Sequence, residues 1–287
     1  MPISRRTLLG AALTAAPLGL AACSGASSPN ASTPTGSGSF RTLEQIRSSG
    51  RIRIGVFSDK APFGYVDADG GYAGYDVVYA ERIAEDLALE VEYVPVEAAS
   101  RVEFLETAKV DLILANFTVT EERKAKVDFA NPYMKVSLGV VSPDAAPITT
   151  ADELAGRKVI VVKGTTAETF LEKNHPEVEL TKYEQYTEAT SALTDGRGDA
   201  WVTDNTEALA WALGAEGFSA GITSLGDPDT IAGAVTKGNT TLLEWLNQHL
   251  VELGKEQFFH ADFEQTLRPV YGDAVPADEL VVEGGQV

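Results

Sequence analysis

Ala108-Lys-Val-Asp-Leu-Ile-Leu-Ala-Asn116 and Gly196-Arg-Gly-Asp-Ala-Trp-Val-Thr-Asp204 share one pattern: a basic residue, an Asp, an apolar run and a closing polar residue. Each run is too short for a helix and apolar on both faces, as a strand covered on both sides of a parallel sheet must be. Working outward from the first stretch, residues 51–57 read as a strand that starts alternating and ends fully apolar. Residues 76–87 put Val77, Ala80, Ile83, Ala84 and Leu87 on one helical face. Residues 91–96 read as strand, 99–109 as helix and 110–115 as strand, so the order is β-α-β-α-β with helical crossovers. Around the second stretch the order recurs: strand 158–162, helix 167–174, strand 178–183, helix 186–194, strand 199–203.

The repeat predicts an α/β fold of two equivalent lobes with parallel-type sheets. Two crossing strands join them, 132–141 and 231–237. Lobe 1 comprises residues 40–137 and 231–272, lobe 2 comprises 138–230, and an amphipathic helix covers 241–253. The tail 273–287 is too irregular to assign. In parallel sheets ligands sit beyond the carboxyl ends of the strands, so a cleft between the lobes is lined by strand-ending residues, Asn116 and Asp204 among them.

The start of the chain is of another kind. Arg5-Arg6 precede an Ala/Leu-rich run that ends in Leu20-Ala-Ala-Cys23, the layout of an export signal. Ser4-Arg5-Arg6-Thr7-Leu8-Leu9 is similar to a twin-arginine signal and Leu20-Ala-Ala-Cys23 to a lipoprotein cleavage box, which predicts a signal peptide over 1–22 and lipidation at Cys23. Residues 23–39 are Ser/Thr/Gly/Pro/Ala filler, a composition that cannot bury enough surface to order itself and that spans about 20–24 Å as a coil. Cys23 is the only cysteine, so no intramolecular disulfide holds the body together. With 42 acidic against 23 basic residues the formal charge is −19, which argues against nucleic acid and suits a solvated, monomeric exported protein.

A free amino acid asks for a guanidinium fork and backbone N–H groups at its carboxylate and for a carboxylate at its ammonium. The strand ends supply these types. Arg123 follows the third strand of lobe 1, Lys163-Gly164-Thr165-Thr166 follows the first strand of lobe 2, and Asp204 closes its third. Thr165-Thr-Ala-Glu168 reads as a capping box, whose free N–H groups also favour an anion, and Gly164 permits close backbone approach. Plain capping remains an alternative for Thr165 and Asp204, and a solvated surface role for Arg123.

Gly-Tyr-Asp76, Lys-Val-Asp111-Leu-Ile-Leu-Ala-Asn-Phe-Thr-Val-Thr-Glu-Glu-Arg123, Val-Asp-Phe-Ala-Asn-Pro-Tyr133, Lys-Gly-Thr-Thr166 and Gly-Asp199-Ala-Trp-Val-Thr-Asp204 together resemble the family 3 extracellular solute-binding proteins of amino-acid ABC transporters, of the periplasmic binding protein type II fold. The resemblance implies Arg123 on the ligand carboxylate, Thr118 on the ammonium or carboxylate, Thr166 with its N–H on the carboxylate, Asp204 on the ammonium and Asn116 as a small polar contact. It implies an ABC permease as partner, an anchored position on the outer face of the cell membrane and no cofactor. Many members carry an aromatic lid where this chain has Lys60-Ala-Pro-Phe63; Phe63, Tyr65 or Phe117 would have to replace it. Arg101 stands where members that bind glutamate or aspartate place an arginine. Several other stretches, among them Glu97-Ala-Ala-Ser-Arg-Val-Glu-Phe104, are most similar to the cysteine-binding branch, so cysteine is the expected ligand and an acidic amino acid the alternative.

Two rival classes fit less well. An exported enzyme of the same fold, such as a cyclohexadienyl dehydratase, needs an acid or base free to move protons; the chain has no phosphate loop, no Gly-x-Ser-x-Gly and no metal spacing among His175, His249 and His260. Asp67-Ala-Asp-Gly-Gly71 places Val78 where a calcium loop needs a glutamate and reads as a hairpin turn. A sensor domain predicts a signalling module after the lobes, and none is recognisable before Val287.

Overall fold

A computed structural model describes residues 40–286, all within one compact unit; the expected signal peptide, the tether and Cys23 lie outside these residues. Lobe 1 runs α1 (Leu43–Ser49), β1 (Arg51–Val56), a small antiparallel sheet of β2 (Asp59–Lys60), β3 (Gly64–Val66) and β4 (Tyr72–Ala73), then α2 (Tyr75–Leu87), β5 (Glu90–Pro95), α3 (Arg101–Glu106) and β6 (Leu112–Ile113). After the one-turn α4 (Glu121–Lys124) the long β7 (Val127–Pro143) passes into lobe 2, which holds β8 (Lys158–Val162), α5 (Thr166–Asn174), β9 (Glu179–Tyr183), α6 (Tyr186–Thr194), β10 (Ala200–Asp204) and α7 (Asn205–Gly214). The chain returns along β11 (Phe218–Thr236) to α8 (Thr240–Glu256).

The strands form one continuous eight-stranded sheet in the order β5-β1-β6-β11-β7-β10-β8-β9. β1 is parallel to β5 and β6, and β8 to β9 and β10, so each half carries the same three-strand parallel unit on either side of the antiparallel β7/β11 pair. Both crossings are longer than their apolar cores suggest, 17 and 19 residues, and the expected boundaries at 137/138 and 230/231 fall inside them. Their ladder slips register between Ala220 and Asp229, where the chain passes from one lobe to the other. Bulges of this kind bend and twist a strand pair.

The duplicated Asp has a duplicated task. Asp111 accepts the backbone N–H of Arg53 at 2.9 Å and Asp199 that of Lys158 at 2.8 Å, so each fastens the third strand of its lobe to the start of the first. Asp111 is further held by the guanidinium groups of Arg41 and Arg53, which keep its carboxyl below the usual carboxylate range although burial opposes them.

Three apolar clusters fill the fold: one under α2 and α8, one between α3, β6 and α6, one around β8 and β10. α8 buries Leu242, Leu246, His249, Leu250 and Leu253, the face its periodicity predicts. The helix expected over 99–109 breaks into a 3₁₀ turn, Ala98–Ser100, and the short α3, and the strand expected over 110–115 pairs only at Leu112–Ile113. Asp67 caps the β3–β4 turn through the N–H groups of Asp69 and Gly71. The tail is ordered through residue 286: Val281 pairs with Met134, and Gly284 packs against Gly254 of α8. No helix of the described residues is long and apolar enough to cross a membrane.

Candidate functional site

Asp204 ends β10 at the N-cap position of α7, yet its side chain makes no capping bond. Its Oδ2 instead accepts from Lys60 Nζ at 2.7 Å, which arrives from β2 in the other lobe. Lys60 is 1% exposed. Its Nζ also pairs with Glu207 Oε2 at 3.3 Å and donates to the Tyr186 hydroxyl at 3.3 Å. Thr203 Oγ1 donates to Glu207 Oε2 at 2.6 Å. Burial opposes the Lys60 charge, but the two carboxylates outweigh it and hold the ammonium well above its ordinary range. Glu207 is pushed up to about 7, by burial first and against the pull of Lys60. Next in sequence, Asp59 accepts the N–H groups of Tyr186 and Thr187 at the start of α6, so two adjacent residues of one small strand bind lobe 2.

The second interlobe contact is made by arginines. Arg101 is 2% exposed; its Nε donates to Ala98 O, Nη1 to Ala115 O and Asn116 O, and Nη2 to Gly164 O. Arg123 donates from Nη1 to Thr118 O at 2.7 Å and from Nη2 to Gly164 O at 2.9 Å. The two guanidinium groups lie 4.4 and 4.7 Å from the centroid of the Phe117 ring, and neither has a carboxylate partner among the described residues. A guanidinium carries five N–H donors: Arg101 uses four and keeps one, whereas Arg123 uses two and keeps Nε–H and one on each terminal nitrogen. Burial, aided by Arg101, pulls the Arg123 pKa down to about 9, and Asp204 is near enough to offset part of that. Arg123 is thus a half-buried cation with a free fork at the contact between the lobes.

Asn116 closes the short β6 end with φ +43°, a left-handed backbone that asparagine tolerates better than most residues. Its N–H donates to Asp76 Oδ2 at 2.7 Å, and the Tyr133 hydroxyl donates to Asp76 Oδ1 at 2.5 Å. Burial raises Asp76 to about 6 while those two bonds resist the shift. The Asn116 side chain is buried with both Oδ1 and Nδ2 unbonded among the described residues. An unmet buried amide costs about 1–3 kcal/mol and calls for a functional explanation. Thr118 is buried beside it and bridges to Ile231 of β11.

Thr165 caps α5 by accepting from Glu168 N and donates to Val162 O at 2.7 Å. Glu168 reaches one residue further back than a standard capping box and takes the N–H of Gly164 at 2.7 Å. Gly164 therefore offers its carbonyl to the two arginines while its N–H is spent. Its φ of +73° and the position of Ala99, whose N lies 2.7 Å from where a Cβ would stand, make it the point where the lobes' backbones touch. Thr166 opens α5 and lines a cavity of about 690 Å³ with Arg123, Phe117, Gly164, Leu225 and Asp229.

Of the aromatic residues weighed as a replacement for the lid, Phe117 alone lies with the arginines. Phe63 is fully buried in the lobe 1 core, and Tyr65 lines a different cavity, of about 910 Å³, on the side of β2–β4, α6 and α7. Tyr186, Glu207 and Phe57 surround Lys60 and carry no recognisable motif; the spacing of Asp204 at the N-cap and Glu207 three residues on, in the first turn of α7, was the one available signal. No group of three or more metal-ligating side chains is assembled among the described residues.

Residues 52–264 match the bacterial extracellular solute-binding proteins, family 3. The chain is 50% identical to a solved solute receptor for L-cysteine from Neisseria gonorrhoeae, with a TM-score of 0.83, covering 85% of this chain and 100% of that one. A cysteine-binding protein from Campylobacter jejuni is 48% identical with a TM-score of 0.83, covering 84% and 98%. The ABC transporter glutamine-binding protein of Bacillus subtilis is 31% identical over 218 residues, 74% of this chain and 79% of the relative.

Proposed function

The chain belongs to the bacterial extracellular solute-binding proteins, family 3, and we propose that it captures a polar L-amino acid, cysteine first, between its lobes and delivers it to an ABC importer. The observation that carries this reading is the Arg123 guanidinium: half-buried between the lobes, with no carboxylate partner among the described residues, and with three N–H donors left. A ligand carboxylate fits that fork, with the Thr166 segment at the helix N-terminus beside it. Asp204 Oδ1 takes no hydrogen bond from the described residues, Lys60 being on Oδ2, and is free for the ligand ammonium. The Asn116 amide supplies a further donor and acceptor.

Arg101 bears on the side chain. A glutamate or aspartate ligand needs a second fork, and Arg101 has one N–H left after four backbone carbonyls. A small side chain such as cysteine asks less of it, in keeping with what the two solved relatives are named for. The exported, monomeric protein is held on the outer face of the membrane by a lipid on Cys23, with its permease as partner. An enzymatic role is disfavoured because Asp204, paired to Lys60 and then to an ammonium, is not a free base.

Calorimetry against the twenty amino acids and cystine tests the reading. Micromolar or tighter binding of cysteine is expected; binding of none of them defeats it, and a preference for glutamate or aspartate over cysteine overturns the ligand choice.

A further inference from the structure

Lys60 Nζ sits in surroundings that a cationic ligand would seek. It lies 4.5 Å from the ring centroid of Tyr186, 5.7 Å from Phe57 and 6.0 Å from Phe63, and between the carboxylates of Asp204 and Glu207. Aromatic faces with two acids form a box for an ammonium ion, and here the chain fills it with its own side chain. Two hydrogen bonds and the Glu207 ion pair hold Nζ inside the box, so Lys60 is committed to the protein's own groups. Tyr186 and Glu207 also line the cavity of about 910 Å³ behind the box, whose wall includes Asp59 and Glu81 and no basic residue.

We propose that Lys60 is the specificity-determining residue that keeps basic amino acids out of this cleft, by occupying with its own ammonium the box that a ligand side-chain cation would use. The inference rests on the amino-acid reading above and extends it. An arginine, lysine or ornithine side chain meets a filled box and a buried positive charge, whereas a small neutral side chain does not enter it. Trimming Lys60 leaves Asp204 and Glu207 without their shared counter-ion, and a buried carboxylate pair in that state favours whichever cation can reach it.

Lys60→Ala, titrated with cysteine, ornithine, lysine and arginine, is expected to bind at least one basic amino acid tenfold or more tighter than wild type does. Propylammonium, which restores the three carbons and the nitrogen removed, is expected to raise the melting temperature of Lys60→Ala and to leave wild type and Lys60→Met unmoved. Lys60→Met keeps the bulk without the charge and is expected to gain no basic ligand. If Lys60→Ala folds only with propylammonium present, the box is supported directly. The inference is overturned if Lys60→Ala gains no basic-ligand binding, or if Lys60→Met gains the same ligands. A wild type that binds no amino acid defeats the functional reading, while the propylammonium comparison still decides the box.

Discussion

Lys60 Nζ and Asp204 Oδ2, 144 residues apart in the chain, stand 2.7 Å apart in the buried contact between the lobes. Asp204 thereby serves two cations in the proposed complex, Lys60 on one oxygen and the ligand ammonium on the other. Asp204→Asn is expected to abolish measurable amino-acid binding. It should also lower stability by about 2 kcal/mol, less than the ~3–5 kcal/mol of breaking an isolated buried pair, because Glu207 remains on Lys60. Calorimetry and chemical denaturation of the same preparation separate the two effects.

Arg123→Lys keeps a positive charge and loses the fork. Amino-acid affinity is expected to fall by at least about 2 kcal/mol, since a desolvated carboxylate loses paired charge-assisted bonds, and Arg123→Ala should fall no less. Near-wild-type affinity in Arg123→Lys would place the ligand carboxylate elsewhere.

At Gly164 a side chain meets both a left-handed backbone and the Ala99 main chain. Gly164→Ala is expected to hold the lobes apart and to cost tenfold or more in affinity. Small-angle scattering should then show a larger radius of gyration than wild type under saturating ligand, with a modest fall in melting temperature from the left-handed backbone.

Two buried carboxyls link stability to pH. Glu207 rises to about 7 from 4.5 and Asp76 to about 6 from 3.8, burial leading in both. Between the unfolded and folded values the native chain holds protons that the unfolded chain has released. Their contribution is therefore fully present below about pH 4 and is lost as pH rises through 6 and 7. Glu207→Gln is expected to flatten this loss between pH 5 and 8, measured by denaturant titration. An unchanged slope would show that Glu207 ionises normally in the fold.

The parts of this molecule that were legible in its sequence are local. The lobe repeat showed in Asp111 and Asp199 because each sits a fixed few residues from its own strand, and the cap at Thr165 follows from a four-residue motif. The Lys60 box was not legible, since it joins β2 to residues 126 and 144 positions away through no motif. Arg101 was read as a candidate ligand group from its place in the family pattern, and the sequence does not show the four carbonyls it also bonds. Arg101, which opens the second piece of the broken 99–109 helix, bonds both the Ala98 turn and Ala115 beyond β6.

The two crossing strands have a consequence for how the molecule can be divided. A chain severed at either lobe boundary would cut β7 or β11 part-way and leave its neighbour as a long unpaired edge, open to pairing with another copy. The lobes are therefore separate in shape and inseparable in expression: an isolated lobe is expected to aggregate, and cargo domains or reporters inserted into this scaffold belong in surface turns such as Asp67–Gly71, away from the shared ladder.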